Sequence, residues 1–150
     1  MTASAKEKQL LAERATKALY DPDRASQGLG MRITSIAPLA CTVTMKVRAD
    51  MTNGHAICHG GLIFTLADSA FAFACNSQGE ASVAASGSID FLVAAREGDE
   101  LTATARELWR GGRSGIYEVT VTNQAGATVA LFRGRSHRIG DRPPKKQDSP

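Results

Sequence analysis

Asp68 is the only acidic or basic residue in the most apolar part of the chain, the stretch GGLIFTLADSAFAFACNSQG that runs from Gly60 to Gly79. It shares one helical face with Thr65 and Ser69, spaced i, i+3, i+4. A carboxylate in apolar surroundings needs either hydrogen-bond donors or a chemical task. The structural alternative is that it accepts hydrogen bonds from Thr65 and its neighbours. Eight residues earlier, Gly60 and Gly61 open the same segment. Backbone amides at a helix start, with the positive end of the macrodipole behind them, favour negative charge, and glycine allows a ligand close to the backbone. Aimed at a carbonyl oxygen, such amides make an oxyanion hole for acyl transfer; without a ligand, the glycines are only a helix cap.

The spacing constrains how these groups can cooperate. At about 1.5 Å per residue, eight residues of straight helix hold Gly60 and Asp68 roughly 12 Å apart. A reacting carbonyl must lie within about 3 Å of both its oxyanion donor and the group that attacks or activates. Two such helices, side by side and antiparallel about a two-fold axis, would bring Gly60 of one chain to Asp68 of the other. Acyl transfer by this pair therefore predicts a symmetric dimer with two composite sites.

The elements that must position these groups follow from periodicity. Leu62 to Cys75 reads as a helix, rich in Ala, Leu and Phe and apolar almost all round, hence wrapped by other structure. Ala5 to Tyr20 is an amphipathic helix carrying Leu10, Leu11, Ala15 and Leu19 on one side, and Asp21-Pro22-Asp23 ends it. Met31 to Ala37 and Cys41 to Val47 are strands on either side of Pro38-Leu39-Ala40. Asp50 to Gly61 is loop. Ser82 to Val93, Leu101 to Trp109, Ile116 to Thr122 and Thr128 to Ile139 are four more strands. Short turns join them with no helix between, which predicts an antiparallel meander. A twisted antiparallel sheet curled round one apolar helix accommodates every element, giving an α+β single domain. The Pro-rich, charged segment 141–150 reads as a disordered tail.

Composition narrows the function. A chain of 150 residues with 43% apolar and 22% charged residues is an ordinary globular domain. A net charge of +3 and 5% aromatic residues give no footprint for nucleic acid. Fourteen helical residues containing an Asp are too short and too polar for a membrane span. The charged N-terminus lacks a central apolar run, so no signal peptide is expected. Three cysteines, Cys41, Cys58 and Cys75, form no paired framework, which fits a reducing, cytoplasmic setting. His55, Cys58 and His59 lack a fourth metal ligand at sensible spacing. Cys58 beside His59 is poorly placed for activation as a nucleophile.

HGG followed by LIFTLAD, then SAFAFACNSQG, GSIDFL, RGGRSGIY and FRGRSHRI, resembles the hot-dog-fold acyl-CoA thioesterases, more narrowly the PaaI type associated with phenylacetate catabolism. The likeness runs from about Tyr20 to Ile139, and its specific part is the HGG-x6-D spacing of His59, Gly60, Gly61 and Asp68. It implies a hot-dog domain over 21–140, preceded by the N-terminal helix of 1–20 and followed by the tail. It also implies dimers joined into a tetramer and neither metal nor cofactor. The family's catalytic carboxylate falls on Asp68, its oxyanion amide on Gly60, and its supporting polar residues on Asn53 and His59, with Gly61 beside them. Coenzyme A carries three phosphate groups, and Arg110, Arg113, Arg135 and His137, with the open backbone at Gly112, are candidates to hold them. Ser86, Gly87 and Ser88 break the apolar alternation of their strand, which the resemblance sets beside the pantetheine arm. Phe64, Phe71 and Phe91 are candidate walls for the acyl group. The expected activity is hydrolysis of phenylacetyl-CoA or a ring-hydroxylated relative, Asp68 serving as general base or nucleophile. A non-catalytic acyl-CoA sensing module is the alternative, and it has no need of an acid in the helix.

Overall fold

The computed structural model describes residues 2–140 of the chain, so the segment read as a disordered tail lies outside the described residues. Helix α1 spans Ala5–Tyr20, started by a capping box in which Ser4 and Glu7 bond each other's backbone amides. It rests Ala12, Ala15 and Thr16 on the central helix and on strand β1. A short helix α2, Arg24–Gly28, follows. Then come β1 Arg32–Ala37, β2 Ala40–Lys46, a 3-10 turn Ala49–Met51, and the central helix α3 Gly60–Asn76. Strands β3 Ala81–Phe91, β4 Glu100–Gly111, β5 Ser114–Thr122 and β6 Thr128–Gly140 complete the chain.

The six strands form one antiparallel sheet in the order β1-β2-β4-β5-β6-β3. This corrects the meander. Strands β4, β5 and β6 are consecutive neighbours, but β3 pairs with β6 and not with β4. Residues 92–99 carry the chain across the end of the sheet. Their backbone is satisfied on the way: Leu92 N–H donates to the Val129 carbonyl at 2.8 Å and the Ala95 carbonyl accepts from Cys58 N–H at 2.7 Å. Gly98 N–H then donates to the Val47 carbonyl at 2.8 Å. The crossing leaves β3 as an edge strand, and its Val83 and Phe91 are 46% and 53% exposed.

The inner face of the sheet follows strict alternation, with Leu101, Ala103 and Ala105 of β4 and Tyr117, Val119 and Val121 of β5 all buried against α3. Small buried residues on both sides, Ala67, Ala70 and Ala74 of α3 and Ala103 and Ala105 of β4, let helix and sheet approach closely. Phe71 sits at the centre, its ring 5.4 Å from Tyr117 and 5.9 Å from Phe132. The packing is tight enough that a Cβ on Gly134 would stand 2.9 Å from both the Phe71 and Phe132 rings. Asn76 locks the far end of α3 to the sheet, accepting from Ser82 N–H at 2.9 Å and donating to the Ser82 carbonyl at 3.0 Å. Truncating Phe71 to Ala therefore removes the contact that centres helix on sheet. Chemical denaturation should show a loss of about 3–5 kcal/mol.

Candidate active site

The loop before α3 is a rigid pedestal. The Asn53 side-chain carbonyl accepts from His55 N–H at 2.9 Å, and Asn53 N–H donates to the Ile57 carbonyl at 2.8 Å. Ala56 adopts a left-handed conformation, φ 57°, to close the turn. His59 N–H donates to the Met51 carbonyl at 2.8 Å, so the residue that starts the helix is fixed from both sides. His59 is the N-cap of α3, and its Nδ1 accepts from Gly61 N–H at 2.9 Å. That bond leaves the ring proton on Nε2. It also uses the Gly61 amide, so the Gly61 expectation of a substrate contact is not met by its N–H. The Gly60 N–H is different: it has no acceptor among the described residues. Phe91 lies over it, with a ring carbon 3.0 Å from the place a Cβ would take. Gly60, Asn53, Ile57, Cys58, Phe91 and Leu92 border a cleft of about 320 Å³.

Asp68 opens into another cleft, of about 410 Å³, between α3 and the α1–α2 junction. The two clefts share no lining residue. Thr65, expected as a donor to the carboxylate, instead gives its hydroxyl proton to the Gly61 carbonyl one turn back, at 2.8 Å. Ser69 is 2.8 Å from the hydroxyl of Ser26, which donates to Asp23 at 2.6 Å. The Asp68 carboxylate is thus without a hydrogen-bond or ion-pair partner among the described residues, and partial burial raises its pKa above the ordinary carboxylate value. The structural alternative, a carboxylate satisfied by its own helix, does not hold.

The candidate coenzyme A residues divide. Ser86, Gly87, Ser88 and Arg135 come together with Arg133 and Gly134 around a groove of about 220 Å³. Arg133 is absent from the sequence reading, although its alternation with Arg135 and His137 on one strand face was there to see. His137 is exposed on that face, paired in register between Val83 and Ser114. Arg110, Gly112 and Arg113 lie elsewhere, at the β4–β5 turn beside the C-terminal end of α3. Arg110 donates to Glu80 and Glu107, both at 3.1 Å, and Glu107 also accepts from the Tyr117 hydroxyl at 2.8 Å. Its charge is compensated within the chain. Of the aromatic candidates, Phe91 lines the Gly60 cleft and Phe64 packs edge-on to Phe132, whereas Phe71 is core.

Burial raises the Cys58 thiol pKa and pushes those of Cys41 and Cys75 up to about 12, so the thiols are protonated at neutral pH. Among the described residues, no three His, Cys, Asp or Glu side chains converge as metal ligands, and no helix is long and apolar enough to cross a membrane. Sequence reasoning missed the wall opposite Asp68, formed by Pro22, Asp23 and Ser26. The available signal was Asp23 three residues before Ser26, the spacing of an N-cap, which it is for α2.

Residues 55–130 match the thioesterase superfamily. The chain is 52% identical over 123 residues to the acyl-coenzyme A thioesterase PaaI of Escherichia coli K12, an alignment that covers 82% of this chain and 88% of the relative. The solved structure of the E. coli PaaI protein from the phenylacetic acid degradation operon superposes with a TM-score of 0.89 at 48% identity, covering 91% of this chain and 99% of that one. A Streptococcus mutans protein solved bound to acetyl-CoA matches with a TM-score of 0.72 at 30% identity, over 75% of this chain and 90% of that one. The chain belongs to the thioesterase superfamily, among the hot-dog-fold acyl-CoA thioesterases of PaaI type.

An acid whose pKa is raised in the folded state is destabilising when ionised. That penalty is full above the raised pKa, shrinks as pH falls through it, and is gone below the ordinary value of 3.8. Asp68→Asn should therefore raise Tm at pH 7, and calorimetry down the pH scale should show the gain shrinking toward the ordinary carboxylate range.

Proposed function

We propose that the protein hydrolyses arylacetyl-CoA thioesters, phenylacetyl-CoA or ring-hydroxylated relatives, to the free acid and coenzyme A. The observation that carries this reading is a pair of unsatisfied groups on α3, the Gly60 N–H and the Asp68 carboxylate, held in separate clefts of one chain. Each cleft holds half of a thioester hydrolysis site. An antiparallel pairing of two α3 helices about a two-fold axis joins the Gly60 cleft of one subunit to the Asp68 cleft of the other, giving two composite sites per dimer. The exposed edge of β3, with Phe91 and Val83 on it, is the surface free to bring the subunits together. Such dimers pair further into a tetramer, and the three buried thiols suit a reducing cytoplasm.

In that site the thioester carbonyl accepts from Gly60 N–H at the positive end of the α3 dipole, so charge developing on oxygen is stabilised where it forms. Asp68 of the partner subunit delivers the nucleophile; its raised pKa brings it closer to the range useful for proton transfer at neutral pH. The Nδ2 group of Asn53 and the Nε2–H of His59, neither used in fixing the loop, are the supporting donors. The groove of Ser86, Gly87, Ser88 and Arg135 takes the pantetheine and phosphate portions, and Arg133 adds positive charge beside Arg135. The aryl specificity is supported by likeness to the E. coli protein of the phenylacetic acid degradation operon, and coenzyme A binding by likeness to the S. mutans protein bound to acetyl-CoA.

Thiol release from a panel of phenylacetyl-, hydroxyphenylacetyl-, benzoyl- and straight-chain CoA esters tests the activity. Turnover should peak on the arylacetyl esters and fall at least about 10²-fold in Asp68→Asn. Gly60→Pro tests the amide. Proline is favoured at the first position of a helix, and His59, at φ −60° and ψ 128°, already has the extended conformation proline demands of its predecessor. The variant should keep its helix content and lose about 10²- to 10³-fold in kcat/KM. Gly60→Ala crowds Phe91 in the same way but keeps the N–H, so it should lose far less. Tight binding of every ester without turnover would instead identify a sensing module.

A further inference from the structure

Trp109 is the only tryptophan of the chain, and a bulge turns it outward. Leu101, Ala103 and Ala105 are buried against α3, and strict alternation would send Trp109 after them. The register of β4 on β5 slips between Glu107 and Trp109, Leu108 being the extra residue, and side chains beyond the slip change faces. Trp109 is left 55% exposed on the outer face, and it stacks on no other ring among the described residues. Gly111, two residues on, gives the ring its seat: a Cβ there would stand 2.5 Å from the indole Cζ2 and Cη2. The ring lies back along its own strand, and the missing side chain of Gly111 is what permits it.

Register sets this ring at the end of the groove of Ser86 and Arg135. Trp109 is opposite Ile116, Ile116 opposite Arg135, and Arg135 opposite Ser86, so the four make one row across β4, β5, β6 and β3. Ile116, Arg135 and Ser86 all line the groove. At about 4.8 Å between neighbouring strands, Trp109 stands roughly 10 Å from Arg135. Neither Arg133 nor Arg135 has an ion pair among the described residues, and Glu118, opposite Arg133, is held by Arg106 at 2.8 Å. From the sheet edge inward the row therefore reads hydroxyl, free guanidinium, aliphatic side chain, aromatic ring.

A nucleotide carrying a polar arm has the same order of chemistry: arm, phosphates, ribose, flat base. A base stacks on an aromatic face, and arginine takes phosphate through paired donors. On the reading of the groove as a coenzyme A site, we propose that Trp109 is the platform on which the adenine stacks, the ester lying across the outer face of the sheet with Arg135 and Arg133 on its phosphates. Trp109 is then a specificity residue, recognising the nucleotide end of the thioester while the clefts of α3 take the acyl end. Arg110, next along β4, does not compete for the phosphates, since Glu80 and Glu107 hold it.

Because Trp109 is the sole tryptophan, its fluorescence reports the stack without any turnover. Titrated with coenzyme A or adenosine 3′,5′-bisphosphate, and excited where adenine does not absorb, the full chain should lose emission saturably; pantetheine should leave it unchanged. In kinetics, Trp109→Ala should raise KM for phenylacetyl-CoA about tenfold with kcat little changed. The effect should disappear on phenylacetyl-pantetheine, which has no adenine, and Trp109→Phe should recover most of the loss. Gly111→Ala, which pushes the ring off its seat, should weaken the quenching with Trp109 itself in place. Emission unmoved by coenzyme A that calorimetry shows to be bound would overturn the proposal, as would an equal rise in KM on both esters or a fall in kcat alone. Subunits that come apart in Trp109→Ala, with wild-type emission silent to coenzyme A, would also overturn it and make the ring a contact between copies of the chain. The thioesterase reading fails separately: saturable quenching with no turnover of any ester would keep the adenine platform and remove the hydrolase, and turnover with a silent Trp109 would do the reverse. No binding of coenzyme A by calorimetry would overturn both.

Discussion

The Gly60 amide and the Asp68 carboxylate stand eight positions apart on an uninterrupted helix, and the rest of the molecule holds that separation rigid. A helix buried on the sheet, centred by Phe71 and pinned at its far end by Asn76, cannot bend to bring the two together. Each group is left facing its own cleft. The distance that makes one chain incomplete is also what makes two chains complementary, because a two-fold axis between antiparallel helices converts the same spacing into two sites. On the proposed reading, the fold supplies half-sites and a dimer would complete them.

The unpartnered state of Asp68 follows from where its neighbours send their protons. Thr65 bonds back to the helix, Ser69 bonds across to Ser26, and several arginines pair elsewhere: Arg110 and Arg138 with Glu80, Arg106 with Glu118, Arg48 with Asp50. A half-buried carboxylate without a counter-ion costs stability, which is the cost the proposed catalytic role would explain. The free Gly60 N–H is the matching case at the helix start: His59 satisfies Gly61 and leaves Gly60 open.

Local patterns in the sequence carry much of this. Helix α1 occupies Ala5–Tyr20 as its terminal Asp-Pro indicates, but Leu10 and Leu11 of the expected apolar side are exposed and Ala12, Ala15 and Thr16 are its buried face; α3 extends only two residues before and one beyond the predicted Leu62–Cys75. Asp68, Gly60 and the separation between them were legible because helical spacing converts directly into distance. What was not legible depends on partners distant in sequence. The pairing of β3 with β6 arises from the crossing at residues 92–99, which no periodicity encodes. The neutralisation of Arg110 needs Glu80, thirty residues away, and the core position of Phe71 needs Tyr117 and Phe132. Asp23 was visible as the end of α1 but not as the cap of a five-residue helix facing Asp68.

Complementation between subunits tests the composite site most directly. Asp68→Asn and Gly60→Pro chains carrying different affinity tags would be co-expressed and the mixed dimers isolated. If the two groups act across the two-fold axis, one site of each mixed dimer holds both lesions and the other holds none. The account predicts about half the wild-type activity per mixed dimer, from parents that are each nearly inactive. Mixed dimers no more active than either parent would mean that Gly60 and Asp68 serve their site from the same chain, and would contradict it.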